Sequence, residues 1–235
     1  MRLFSVVLLT SLVACDSEAP PAQPTAPPPP TRVEAVTLPV KGIVDIVSTK
    51  NGTAEVPGRF EGVSGSVSTS NPATWAGLDG KVDIDIRSWN SGVELRDTRV
   101  KTTFFESESF GVATFDVDGV SGLPADGMPI GAEAPAATLT GKLSLHGVTH
   151  DVALPVKIKR VAEGAFTVES TAPYALNSDE YGLTERREAL RQECQHDSLS
   201  EIAKVSVRVA MGPTEIPGVV PPATPPEAPT EADKK

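Results

Sequence analysis

Polar and apolar residues alternate along much of the chain, most clearly between Lys81 and Trp89. There Val82, Ile84 and Ile86 fall on one side and Asp83, Asp85 and Arg87 on the other. A period of two, with one dry and one wet face, predicts a strand over a single core. Residues 138–145 and 152–158 alternate in the same way, and Val152, Leu154, Val156 and Ile158 share one face. The segment between them, His146-Gly147-Val148-Thr149-His150-Asp151, predicts the connection of a hairpin. Pro155 has no N–H to give, which puts it at an edge or a non-bonded position. Further strands are expected at 33–48, closed by the turn signal Lys50-Asn51-Gly52, and at 54–60, with a bend at Gly58. Others fall at 61–70, broken by Asn71-Pro72, at 112–117, at 166–170, and through Val205, Val207 and Val209. Residues 118–137, rich in Gly, Pro and Ala, predict an exposed loop or a weak hairpin. Residues 184–193, TERREALRQE, predict the one clear helix, with Thr184 as its N-cap. Many strands, short turns and one late helix predict a mainly all-β, antiparallel barrel or sandwich.

The chain is organised around residues 88–117. Ser88-Trp89 leads into a polar turn at Asn90, Ser91 and Gly92, followed by the pair Arg96-Asp97. The stretch ends in Phe104, Phe105, Phe110 and Phe115, four of the seven phenylalanines. Polar residues separate these rings, so they form no single stripe. They predict a short helical or irregular crossing over an apolar interior, with the rings either filling the core or lining a space within it.

The ends of the chain have a different composition. Arg2 precedes an apolar run from Leu3 to Val13, too short to span a membrane, so residues 1–14 read as a signal peptide. Leu12-Val13-Ala14-Cys15 matches the bacterial lipoprotein cleavage box, making Cys15 the expected lipidation site. The alternative is an ordinary secretory peptide with Cys15 incidental. Two acyl chains give a membrane hold that one cannot. Residues 15–32 form an expected proline-rich linker, with seven prolines between 16 and 31. Residues 213–235, with seven more, form an expected disordered tail. The domain between, 33–212, is long enough for one core. A formal charge of −10 argues against nucleic acid and against a basic membrane-binding face. With Cys15 acylated, Cys194 is left without a partner in the chain.

The central stretch resembles the signature of the YceI-like family of periplasmic lipid- or polyisoprenoid-binding proteins. The matching residues are Ser88, Gly92, Arg96, Asp97, Phe104, Phe105, Glu106, Phe110 and Phe115, joined downstream by Gly141 and by Leu145-His146-Gly147-Val148-Thr149. The resemblance spans residues 40–212. It implies a lipocalin-like barrel of about eight strands in the bacterial cell envelope, facing the periplasm from the inner or the outer membrane. It implies as partner an apolar lipid, an isoprenoid or a fatty-acyl chain, with no other cofactor. Two positions depart from the family pattern: Arg99 stands where histidine is frequent, and Ser178 where arginine is usual before Tyr181-Gly182.

On these grounds the expected ligand contacts are Ile84, Ile86, Trp89, Arg96, Phe104, Phe105, Phe110, Phe115, Leu143, Leu145 and Leu154. Arg96 either meets a polar head or forms a structural ion pair with Asp97. His146, His150 and Asp151 have donor chemistry for zinc or copper, but turn histidines also bond backbone, and no metal site is expected. Cys194 and His196 lack the positioned base and oxyanion donors that a thiolate nucleophile needs. No phosphate loop, nucleophile elbow or HExxH motif occurs, so no catalytic residue and no enzymatic activity are expected. Two classes of function stay open: a binding protein holding a long apolar ligand, and a surface-tethered scaffold whose barrel is filled by its own side chains.

Overall fold

The computed structural model describes residues 34–218. The expected signal peptide at 1–14, the expected lipidation site Cys15, the expected linker to residue 32 and the expected tail beyond 218 lie outside the described residues. Ten strands follow one another: β1 (Val36–Lys50), β2 (Ala54–Thr69), β3 (Asp79–Asp85), β4 (Trp89–Asn90), β5 (Val112–Ser121), β6 (Glu133–Leu145), β7 (Val148–Ala162), β8 (Ala165–Ser170), β9 (Tyr174–Asn177) and β10 (Ile202–Met211). Eight of them close in the order β1-β10-β8-β7-β6-β5-β3-β2, with β2 pairing back onto β1. β4 pairs with β2, and β9 with β10. All the pairings are antiparallel. Closure leaves the ring no open edge, and the register shifts at Gly42/Val44 and Val117/Gly119 bend strands where the barrel curves.

Several local features depart from the expectations above. The strand expected from Lys81 to Trp89 ends at Asp85, and Ile86–Ser88 forms a 3₁₀ turn before β4. The connection between β6 and β7 is only His146-Gly147, with φ of 51° and 80°, a left-handed pair suited to a two-residue hairpin. His150 and Asp151 therefore lie in β7. β2 runs unbroken through Gly58, which makes room rather than a bend: a Cβ there would sit 2.3 Å from the Trp89 indole. The loop between β5 and β6 is not simply exposed. It buries Met128, whose N–H donates to Ala73 O at 2.8 Å and whose carbonyl accepts from Arg160 Nη1 at 2.6 Å.

Two α-helical segments and two 3₁₀ turns, Ile86–Ser88 and Ser178–Tyr181, complete the fold. α1 (Glu94–Arg99) runs on into a π-helical turn, Val100–Phe104. α2 (Thr184–Glu193) has the expected bounds, but its N-cap is Leu183, with no side-chain cap bond, and Thr184 is the first helical residue.

The interior divides into two apolar clusters. One closes an end of the barrel with Trp75, Met128 and Phe166, the Trp75 and Phe166 rings meeting edge to face at 5.2 Å. Phe166 has no exposed surface, which is worth about 3 kcal/mol of burial. The other gathers Val44, Phe60, Ile86, Trp89, Leu145 and Leu183 beneath the crossing and α2. Residues 213–218, grouped with the tail by composition, return along the barrel: Glu215 pairs with Lys41 and Pro217 O accepts from Arg208.

Candidate functional site

The register lines up the inner face. Val82 stands opposite Phe115, and Phe115 opposite Leu143, across β3, β5 and β6. Val44 faces Val207 and Ile46 faces Val205 across β1 and β10. Side chains pointing into a filled barrel would be fully buried. Here Val82, Ile84, Leu143, Ile46, Val207 and Val209 point inward yet keep partial exposure. They face a cavity of about 260 Å³. That is slightly below the roughly 300–1,000 Å³ of sites for drug-sized ligands, and suits something slender.

Close packing of strands makes the space. At Gly141 a Cβ would lie 2.5 Å from Phe115 Cζ, so the ring lies flat across the neighbouring strand. Trp89 does the same over Gly58. Ser88 fixes β4 beside β2 by accepting from Gly62 N at 2.8 Å and donating to Asp85 O at 2.6 Å.

The open end carries a chain of rings. Trp89 meets Phe60 at 5.1 Å, Phe60 meets Phe105 at 5.6 Å, and Phe105 meets Phe104 at 4.7 Å, all edge to face. Leu183, the N-cap of α2, and Arg187 and Leu190 on the helix line the same cavity, spaced i, i+4, i+7 along one stripe. The cavity is apolar except at this end, where Ser48, Thr49, Ser178, Arg187, Ser200 and Glu201 line it. Hydrogen bonds tie this group together: Ser200 N to Thr49 O at 2.9 Å, Ser178 Oγ to Glu201 O at 3.0 Å, and Arg187 Nη1 to Leu199 O at 3.0 Å.

Of the expected contacts, Ile84, Ile86, Trp89, Phe104, Phe105, Phe115, Leu143, Leu145 and Leu154 line the cavity. Arg96 and Phe110 do not. Phe110 lies against the His146 ring, centroids 3.9 Å apart, outside the cavity. The Arg96–Asp97 ion pair does not form, because neighbours on a helix do not face one another. Asp97 is buried and accepts instead from the backbone N–H of Ser91 at 2.8 Å and from its hydroxyl. Sequence reading missed β9, which supplies Tyr174 and Leu176, and the cavity-facing stripe of α2. The alternation of Val205, Val207 and Val209 was visible, but nothing in it said that the strand faces a void.

The histidines lead apart. His146 Nε2 bonds Glu106 Oε2, and His150 Nε2 bonds the carbonyl of Glu180, both at 3.0 Å. Cys194, a free thiol, has Arg99 Nη1 at 3.7 Å from its sulfur. Burial, with Tyr174 and Glu180 adding repulsion, pushes the Tyr181 phenol up to about 12. Burial, then the nearby cations Lys50 and Arg96, lowers His196 from its ordinary value.

A closed antiparallel barrel with an apolar interior space and a polar rim defines a lipocalin-like class of protein. The sequence model of the YceI-like domain matches residues 37–211, and the chain belongs to the YceI-like family. No curated protein matches the chain. Two solved structures share the fold. A polyisoprenoid binding domain from Saccharophagus degradans, implicated in plant cell wall breakdown, is 21% identical with a TM-score of 0.64, covering 76% of this chain and 99% of that one. BcnA from Burkholderia cenocepacia is 19% identical with a TM-score of 0.55, covering 72% and 95%.

Proposed function

We propose that this chain is a membrane-anchored, extracytoplasmic binding protein that holds a long apolar tail, isoprenoid or fatty-acyl, inside its barrel. The supporting observation is the set of inward-facing, incompletely buried side chains, Ile84 and Leu143 foremost, around an apolar cavity. Each methylene that enters gains about 0.8 kcal/mol. No polar readout is needed along the tail. The similarity to a polyisoprenoid binding domain agrees with this reading. A scaffold barrel filled by its own side chains would lack such a cavity.

Anchoring rests on Leu12-Val13-Ala14-Cys15. Cys15→Ser tests this half: the variant should leave the membrane fraction or remain uncleaved. Normal cleavage with unchanged membrane association would contradict it. The binding half is tested by titrating lipid-stripped protein with geranylgeraniol while following tryptophan emission, since Trp89 lines the cavity. A saturable change supports binding, and no change at any concentration below the lipid's solubility limit contradicts it.

A further inference from the structure

We propose that the polar end of the cavity is a head-group subsite that accepts an uncharged hydrogen-bonding head, such as an alcohol or ester, and rejects a free carboxylate or phosphate. This rests on the tail-binding reading above.

Only two lining residues are charged, Arg187 and Glu201. The Arg187 guanidinium is already committed. Its Nη2 donates to both carboxylate oxygens of Asp179, at 3.0 and 2.8 Å, and its Nε donates to Asp179 Oδ1 at 3.2 Å. Its Nη1 donates to Leu199 O. A bidentate pair of this kind is neutral as a unit and fixed in orientation. The other charged lining residue, Glu201, is exposed at the rim and adds a negative, solvent-screened charge at the entrance, which disfavours an anion there. Lys50, next to the lining residue Thr49 and bridged to Leu199, is a cation outside the lining. An anionic head drawn into this end would lose its water and meet no uncommitted cation in the lining, which is unfavourable. An uncharged head meets the opposite situation. Ser48 Oγ donates weakly to Val56 O at 3.4 Å and can still accept, Ser200 Oγ accepts from Ile202 N at 3.1 Å and can still donate, Thr49 adds a third hydroxyl, and the buried Trp89 Nε1–H has no acceptor among the described residues.

The Asp179–Arg187 pair therefore acts as the selector. Asp179 belongs to the short 3₁₀ turn that precedes α2, and Arg187 lies on α2 itself. The segment after Gly182 thus builds this end of the cavity.

The test uses one tail with three heads: farnesol, farnesoic acid and farnesyl phosphate, titrated into the lipid-stripped chain at neutral pH. The expected result is that farnesol binds about tenfold or more tightly than either anion. Asp179→Asn frees the guanidinium, and Glu201→Gln, at an exposed position, removes the repelling charge. Each should narrow that ratio, and Glu201→Gln does so without disturbing the half-buried Asp179–Arg187 pair. Equal or tighter binding of the anions by the unmodified chain would overturn the inference while leaving tail binding intact. So would an unchanged ratio in both folded variants. If none of the three compounds binds, the tail-binding reading itself fails.

Discussion

His146 Nε2 lies 3.0 Å from Glu106 Oε2, and both residues hold a left-handed backbone, with φ of 51° and 48°. His146 sits in the turn between β6 and β7, and Glu106 ends the crossing. Arg186 of α2 reaches the same carboxylate oxygen, Nε to Oε2 at 2.8 Å. Three segments that close the open end of the barrel thus meet at one oxygen. His146→Asn keeps a residue that tolerates the left-handed region and removes this contact. It should lower stability in denaturant melts by about 1 kcal/mol. Glu106→Ala, which also drops the exposed Arg186 contact, should fall only slightly further. If both variants melt like the parent protein, the link contributes nothing.

Asp97 and Arg96 are adjacent and should behave very differently. Asp97 is buried and holds the turn at Ser91, so Asp97→Ala leaves a half-buried N–H and hydroxyl without their acceptor and should cost about 1–3 kcal/mol. Arg96 has no ion-pair partner among the described residues, and Arg96→Ala should change stability by less than about 0.5 kcal/mol. Equal losses from the two variants would restore the ion pair that adjacency in the sequence suggests.

This pair shows what the sequence could and could not convey. Strands were legible wherever one face was dry over several residues, as at Val82-Ile84 and Val152-Leu154-Val156-Ile158, although the alternation carried on past the end of β3 into the 3₁₀ turn at Ile86. Nine of the eleven expected contacts came from such faces or from the phenylalanine cluster and lie on the cavity. β9 stayed hidden because Tyr174–Asn177 is too short to establish a period. The inner stripe of α2 stayed hidden because a charged residue, Arg187, stands in it between Leu183 and Leu190. The cavity itself was not legible. An aliphatic face reads the same whether it packs against a neighbour or against a void, and residual exposure appears only in three dimensions.

Tyr181 carries a pH prediction. Its hydroxyl is buried with no partner among the described residues, and its pKa is pushed from 10.0 to about 12. The unfolded chain releases this proton near pH 10 while the native state retains it. Stability should therefore be unaffected below pH 10 and fall as pH rises from there toward 12. Tyr181→Phe should give a shallower alkaline decline. At neutral pH it should be neutral or stabilising, by up to about 1 kcal/mol, because a buried unpaired hydroxyl is removed. An alkaline limb as steep as that of the parent protein would show that Tyr181 does not set it.

The claim that the barrel holds an apolar tail is tested most directly by native mass spectrometry of the full chain purified gently from the cells that make it. A parallel preparation should carry Leu143→Trp, which places an indole inside the cavity that Leu143 lines. The parent protein should carry a stoichiometric adduct that extracts into organic solvent as an apolar lipid. The folded Leu143→Trp variant should lack it. A parent protein that comes through without any lipid, or a variant that retains the same lipid in the same amount, would contradict the account.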